Sequence, residues 1–358
     1  MSDYVFDSAH WLMWQQILFW TVATIGFISA LFAFGTYKFS NRTNTMLFSI
    51  TLFIVMSVLM GLFPIEWGYG TDRANYANGF LSFKNGTAHI EPQKGEIGFQ
   101  YIKYIFSFFV NATEFMYCMA LIYLTNYFIA IKRLVNGQSY WLFIAVVLSM
   151  GFVSYNVNTM RAGLAISFLV LGLSLHKSLR RMIICIVLAS SIHTSTVIPG
   201  CMLVICRIYN NTRLFYILWL LSIPISFIAG NYFNVLFEGM GSDNRTAYLT
   251  TQNTHYNVGF RIDFIIYSFV PMLIGGYYIL KKGIKDHFYV MIYNAYLLTN
   301  MFWIFVIRAN YSDRFAYLSW FMIPFILVYP LLKHKMSLRE GTWLGSILLG
   351  ETVFGFLI

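Results

Sequence analysis

Apolar runs of about twenty residues recur from near the start of the chain to its end. A run of that length is what crosses the hydrocarbon core of a bilayer as a helix. Candidate spans fall at 17–35, 46–63, 113–131, 140–153, 162–175, 182–191, 194–206, 214–230, 260–280, 288–307, 315–332 and 342–357. Composition supports this: of 358 residues 58% are apolar and 11% charged, where a soluble domain carries about 25% charged residues. There is too little polar surface to coat a water-facing globule of this size. The expectation is an all-α polytopic integral membrane protein of about twelve transmembrane helices. The pattern has no heptads, low-complexity tract or short repeat, so residues 1–358 read as a single transmembrane domain.

The formal charge of +10 matters through its placement. Connectors holding Lys38, Arg42, Lys132, Arg133, Lys177, Arg180, Arg181, Arg207, Arg213, Lys281, Lys282, Lys285, Lys333, Lys335 and Arg339 carry 15 of the 24 basic residues. Short basic loops stay in the cytoplasm, which would put both termini and two long loops on the opposite side. The loops are 64–112, whose polar part ends near Gly95, and 231–259. The stretch after Glu96 is apolar but interrupted by Gln100 and Lys103, and reads as an interfacial or re-entrant helix. No run of five or six basic residues suggests nucleic acid. The four cysteines form no CxxC pair, and the first residues lack a basic n-region, so the first apolar segment reads as a retained span.

Ionisable groups at or inside helix ends are costly in a membrane and therefore informative. On the outward side they are Asp72, Arg73, Glu96, Arg161, His193, Arg245, Arg261, Asp263, Arg308, Asp313 and Arg314. Guanidinium groups present forked donors matched to phosphate oxygens and stay charged at any relevant pH. Six arginines on this side therefore point to an anion site, expected to gather them in one pocket. The plainer alternative for each is a lipid headgroup or a local carboxylate, as Arg261 with Asp263 and Arg314 with Asp313. His193, in an apolar segment with small hydroxyl residues, is either a proton acceptor or a histidine satisfied by a neighbouring helix. Asp72, in a turn-rich stretch, is a second candidate base or simply a solvated carboxylate. Outward aromatics Trp67, Tyr69, Tyr76, Tyr155, Tyr232, Tyr248 and Tyr256 offer sugar-stacking faces or belong to the interfacial belt. No GxxxxGK[ST], GxGxxG in context, HExxH, GxSxG or His/Cys cluster is present, so neither nucleotide, cofactor nor metal is indicated.

Several short motifs stand in order: Gly70-Thr-Asp72 followed by Tyr76; Glu96-x-Gly98-Phe99; Asn156-x-Asn158-x-x-Arg161-x-x-Leu164-Ala165; Ala189-x-x-x-His193-x-Ser195; Arg261-x-Asp263; and Asp313-Arg314 followed by Tyr317. In this order and spacing the chain resembles the EpsG-like branch of bacterial polysaccharide polymerases, grouped with the Wzy O-antigen and capsule polymerases. It departs from the usual pattern at Arg73, Ala162 and Ile97, where the family usually has an aromatic residue, Gln and Pro.

The resemblance implies an inner-membrane glycosyltransferase of GT-C-like layout. It would join undecaprenyl-diphosphate-linked oligosaccharide repeat units on the periplasmic face, into O-antigen, capsular or free exopolysaccharide. Such a protein's partners are the lipid-linked donor and acceptor, membrane lipids and a chain-length regulator. Arg161, Arg261 and Arg314, supported by Arg245 and Arg308, would stabilise the departing diphosphate in place of a metal. His193 is the first candidate base, its reference pKa of about 6.5 lying near working pH. Asp72 comes second, since Arg73 beside it weakens its basicity. Direct attack would invert the anomeric centre. A lipid-linked oligosaccharide flippase would instead spread arginines along a path, and a membrane O-acyltransferase would draw on acyl-CoA from the cytoplasm.

Overall fold

Helix is the only regular structure among the residues that the structure, a computed structural model, describes: 8–36, 42–65, 72–240, 259–309, 312–334 and 339–357. In chain order these helices are α1 (Ser8–Thr36), α2 (Arg42–Gly61), α3 (Asp72–Lys84), α4 (Ile97–Ser107), α5 (Ala112–Leu134), α6 (Ser139–Leu148), α7 (Phe152–Val157) and α8 (Met160–Ser174). They continue as α9 (Leu179–Ile192), α10 (Val197–Ile208), α11 (Thr212–Met240), α12 (Ile262–Gly276), α13 (His287–Phe305), α14 (Ser312–Trp320), α15 (Ile323–Lys333) and α16 (Glu340–Leu357).

Among the described residues six segments are long and apolar enough to cross a membrane alone: His10–Gly35, Ala112–Leu134, Thr212–Ala229, Ile262–Lys281, His287–Phe305 and Ser312–Lys333. About twelve such spans were expected. Much of the shortfall lies in apolar segments whose helices are too short to cross alone. Gly151, at φ 92°, separates α6 from α7, and the extended backbone of His193 ends α9. A ten-residue helix such as α6 is only about 15 Å long, half the thickness of the hydrocarbon core. Four apolar helices of 10–17 residues fall short of a full crossing: Thr45–Gly61, Ser139–Leu148, Met160–Ser174 and Thr194–Ile208.

The two segments expected as long loops also carry helix. Residues 64–112 contain α3 and α4, and α11 continues as far as Met240. Residues 241–258, with Arg245, Tyr248 and Tyr256, lie outside the described residues, as do Trp67 and Tyr69.

The described chain divides into two compact units, 1–197 with 331–358, and 198–330. In the first, α1 lies along α16, α2 along α5, and α8 between α5 and α9. Small polar groups join these helices: Asn126 Nδ2 donates to Ser167 Oγ (3.0 Å), the Ser49 and Ser139 hydroxyls lie 3.0 Å apart, and Tyr123 OH donates to the Phe152 carbonyl (3.0 Å). Such bonds hold helices together where lipid supplies no hydrophobic drive between them. The second unit packs α11, α12 and α14 on α13. Asn300 is its polar centre: Oδ1 accepts from Trp219 Nε1 (2.8 Å), and Nδ2 donates to Ser268 and Ser319 (3.1 and 2.9 Å).

Candidate active site

In the first unit a buried carboxylate is shared by residues from two other elements. The chain reaches Glu96 through a turn fastened by Gln100. The Gln100 side chain accepts from the Glu91 backbone N–H (2.8 Å) and donates to the carbonyls of Glu91 (3.1 Å) and Gly95 (2.9 Å). Gly95 and Glu96 both take positive φ, 69° and 49°. Among the described residues Glu96 is the one non-glycine in that region, a conformation that costs a side-chain-bearing residue about 1–2 kcal/mol. The turn starts α4 abruptly, with Glu96 at its N-cap. Two residues on, Gly98 lies bare against α9: a Cβ there would overlap Ser191 Oγ and stand 2.9 Å from the Ser191 backbone carbon. That close approach brings α4 beside the end of α9, where His193 follows.

His193 sits in extended backbone between α9 and the short turn Thr194–Thr196. Its carbonyl accepts from Thr196 Oγ1 (2.7 Å) and Thr196 N (3.1 Å). Its Nδ1 lies 2.8 Å from Glu96 Oε1. The other carboxylate oxygen, Oε2, takes an ion pair from Arg161 Nη1. Arg161 is the second residue of α8, which lies close to α7 because Gly163 has no side chain: a Cβ there would overlap the Tyr155 carbonyl. The Glu96 side chain is only 6% exposed, and a buried carboxylate is tolerated only when partners compensate its lost hydration. With Nδ1–H donating to Glu96, the basic nitrogen of His193 is Nε2, and the carboxylate favours the imidazolium that forms when Nε2 takes a proton.

Around this trio stands a group of rings and cations. The Arg161 guanidinium lies over Tyr76 (5.9 Å to the centroid), and Tyr76 meets Phe99 edge-on at 5.6 Å. Lys103 Nζ lies 5.5 Å from the Phe99 centroid and 5.1 Å from that of Phe83. Burial and then the nearby Arg161 charge lower the Lys103 pKa from the ordinary lysine value, with Glu96 opposing them.

The sequence-selected residues fall into both units. Glu96, Arg161 and His193 come together. Asp72 opens α3 and, four residues before Tyr76, lies on the same helical face. Arg73 is 3% exposed, donates to the Gly61 carbonyl (3.4 Å) and packs over Phe63 (5.7 Å), so it serves the core of the first unit. Tyr155 is likewise buried, whereas Tyr232 is exposed.

In the second unit Arg261 and Asp263 form the local pair that their spacing allowed: Nε lies 3.0 Å from Oδ1 and Nη2 2.5 Å from Oδ2. The Arg261 guanidinium also covers Phe264 at 3.7 Å. Asp313 and Tyr317 are near enough to be coupled electrostatically to Arg261, and both also feel the Arg314 charge. Arg308 donates to the Phe227 carbonyl at 2.8 Å.

Two contributors escaped sequence reasoning. Gln100 and Lys103 had registered only as polar interruptions of an apolar stretch. Their spacing from Glu96, at i+4 and i+7, places them on the face of α4 that begins with the carboxylate, and this was the available signal.

These features define a class: a helical protein with membrane-length apolar helices and a buried Glu–His–Arg constellation. A family model described as EpsG family matches residues 46–349, a stretch containing the constellation and every described residue of the second charged group. The chain belongs to the EpsG family. Membership assigns a polysaccharide polymerase-like role in the broad sense. No curated protein and no solved structure matches the chain.

Proposed function

We propose that the protein is a glycosyltransferase that joins undecaprenyl-diphosphate-linked oligosaccharide repeat units. The observation carrying this reading is the Glu96 carboxylate shared by His193 Nδ1 and Arg161 Nη1. It supplies, in one place, an oriented base and a cation beside it. His193 Nε2 takes the proton of an acceptor sugar hydroxyl as that oxygen bonds to the donor's anomeric carbon. The anomeric C–O bond to phosphate breaks, its electron pair leaving on the lipid diphosphate, and Arg161 offsets the charge that develops there. Glu96 orients the ring and favours the imidazolium. Displacement from the opposite face inverts the sugar. The Arg161 guanidinium takes the place of a divalent ion. Asp72 is the alternative base.

The proposal includes the bacterial inner membrane as location, the chemistry on its periplasmic or external face, both ends outward, and a twelve-segment GT-C-like layout in which the shorter apolar helices complete crossings. The product is O-antigen, capsule or free exopolysaccharide, with a chain-length regulator as a partner. The test is purified protein with lipid-linked repeat units, chelator present and nucleotide absent. A ladder of polymers is expected, lost in His193→Ala and Arg161→Ala variants that keep the native melting temperature. An undiminished ladder in His193→Ala removes it as the base, and a product with retained configuration removes direct displacement.

A further inference from the structure

Lys103 has a setting that the Glu96 constellation does not account for. Its ammonium lies between the Phe83 and Phe99 rings, at 5.1 and 5.5 Å from their centroids. It faces bare helix backbone: a Cβ on Gly79 would come within 3.2 Å of Nζ. Among the described residues no carboxylate forms an ion pair with it, and Glu96 is already engaged on both oxygens. The Tyr76–Phe99 ring pair links it to Arg161. The Nε–H of that arginine is buried and makes no hydrogen bond among the described residues.

Two half-buried cations thus each lie against one ring of a single aromatic pair, near enough for Lys103 to feel the Arg161 charge, and the Glu96 carboxylate acts on both. A half-buried ammonium with no ion-pair partner is costly, and repulsion from a neighbouring cation adds to the cost. An anion arriving between them relieves both penalties. Phosphate oxygens suit the pair, since an ammonium offers point donors and a guanidinium a directed N–H.

We propose that Lys103 and Arg161 Nε form an anion subsite for a phosphate group of the lipid-linked diphosphate, with Lys103 as a binding residue in its own right. This rests on the reading of the protein as a transferase of lipid diphosphate-linked sugars and names the contact that holds the leaving group. The lysine holds the phosphate, and the arginine shares its charge between that phosphate and Glu96.

The test measures binding to the full chain in phosphatidylcholine nanodiscs. The probes are undecaprenyl diphosphate and, as a neutral control, undecaprenol. Lys103→Gln is expected to weaken the diphosphate by about tenfold or more, the loss of one charge-assisted contact, and to leave undecaprenol unchanged. Lys103→Arg is expected to retain most of the affinity. Native diphosphate affinity in Lys103→Gln overturns the subsite, even if the protein polymerises repeat units. Equal loss for both probes also overturns it, since the change is then one of packing. Displacement of the diphosphate by an equal mole fraction of phosphatidylglycerol assigns the site to bilayer headgroups and overturns it as well. Lys103-dependent diphosphate binding in a protein that makes no polymer upholds the subsite and removes the transferase reading instead.

Discussion

The two charged constellations differ in how they are made. In the first unit Glu96, with a side chain 6% exposed, is compensated by residues from the far ends of two other helices, and His193 lies 97 positions along the chain. In the second unit Arg261 and Asp263 are two residues apart, with side chains 27% and 45% exposed. An interaction between charges strengthens as water is excluded, while an exposed pair is screened and contributes under about 1 kcal/mol. The first arrangement therefore depends on the tertiary structure and helps to specify it. The second is a local contact at a helix start. The charged residues thus form both a constellation suited to catalysis and a pair that any short peptide of that spacing could approach.

The contrast sets an order of expected effects. Glu96→Gln keeps the shape but removes the charge shared by His193 and Arg161. Polymer formation is expected to fall by about a hundredfold or more, as when the orienting carboxylate of a histidine base is lost. A fall of less than threefold would place Glu96 in a purely structural role. Gly98→Ala comes next, because its methyl group must push α4 away from Ser191 and its backbone. The expected cost is about 1–3 kcal/mol in thermal stability, with activity reduced beyond what the unfolded fraction explains. Native melting and native activity together would show that the close approach is unnecessary. Gln100→Ala removes three bonds to the turn before Glu96. It should cost about 1–2 kcal/mol of local stability, read as faster amide exchange over 91–96. The smallest effect belongs to Asp263→Asn, expected to shift stability by less than about 1 kcal/mol. A larger shift would show that the second constellation is also tertiary.

Much of this was legible in the sequence, and the boundary has a physical cause. Apolar run length identified helices of membrane character, and the Arg261-x-Asp263 spacing allowed the pair that formed. Run length placed a break at His193 but not the one inside 140–153, because Gly151 at positive φ is a single-residue event inside apolar sequence. Glu96, Arg161 and His193 were each singled out, but their meeting depends on Gly98 admitting Ser191 and on Gly163 admitting the Tyr155 carbonyl. A glycine's clearance has meaning only once its neighbour is known. Gln100 and Lys103 were missed for a related reason. Their partners are backbone carbonyls and aromatic faces, which carry no charge signature to match against a polar side chain.

The central claim is that Glu96 and His193 act as one unit. A double-mutant cycle on the rate of polymer formation, with Glu96→Gln, His193→Gln and the double variant all shown to be folded, tests it most directly. Coupled residues predict a double variant no slower than the slower single one, because the carboxylate has nothing to orient once the imidazole is gone. Rate losses that multiply in the double variant would show the two side chains acting independently, and would contradict the account.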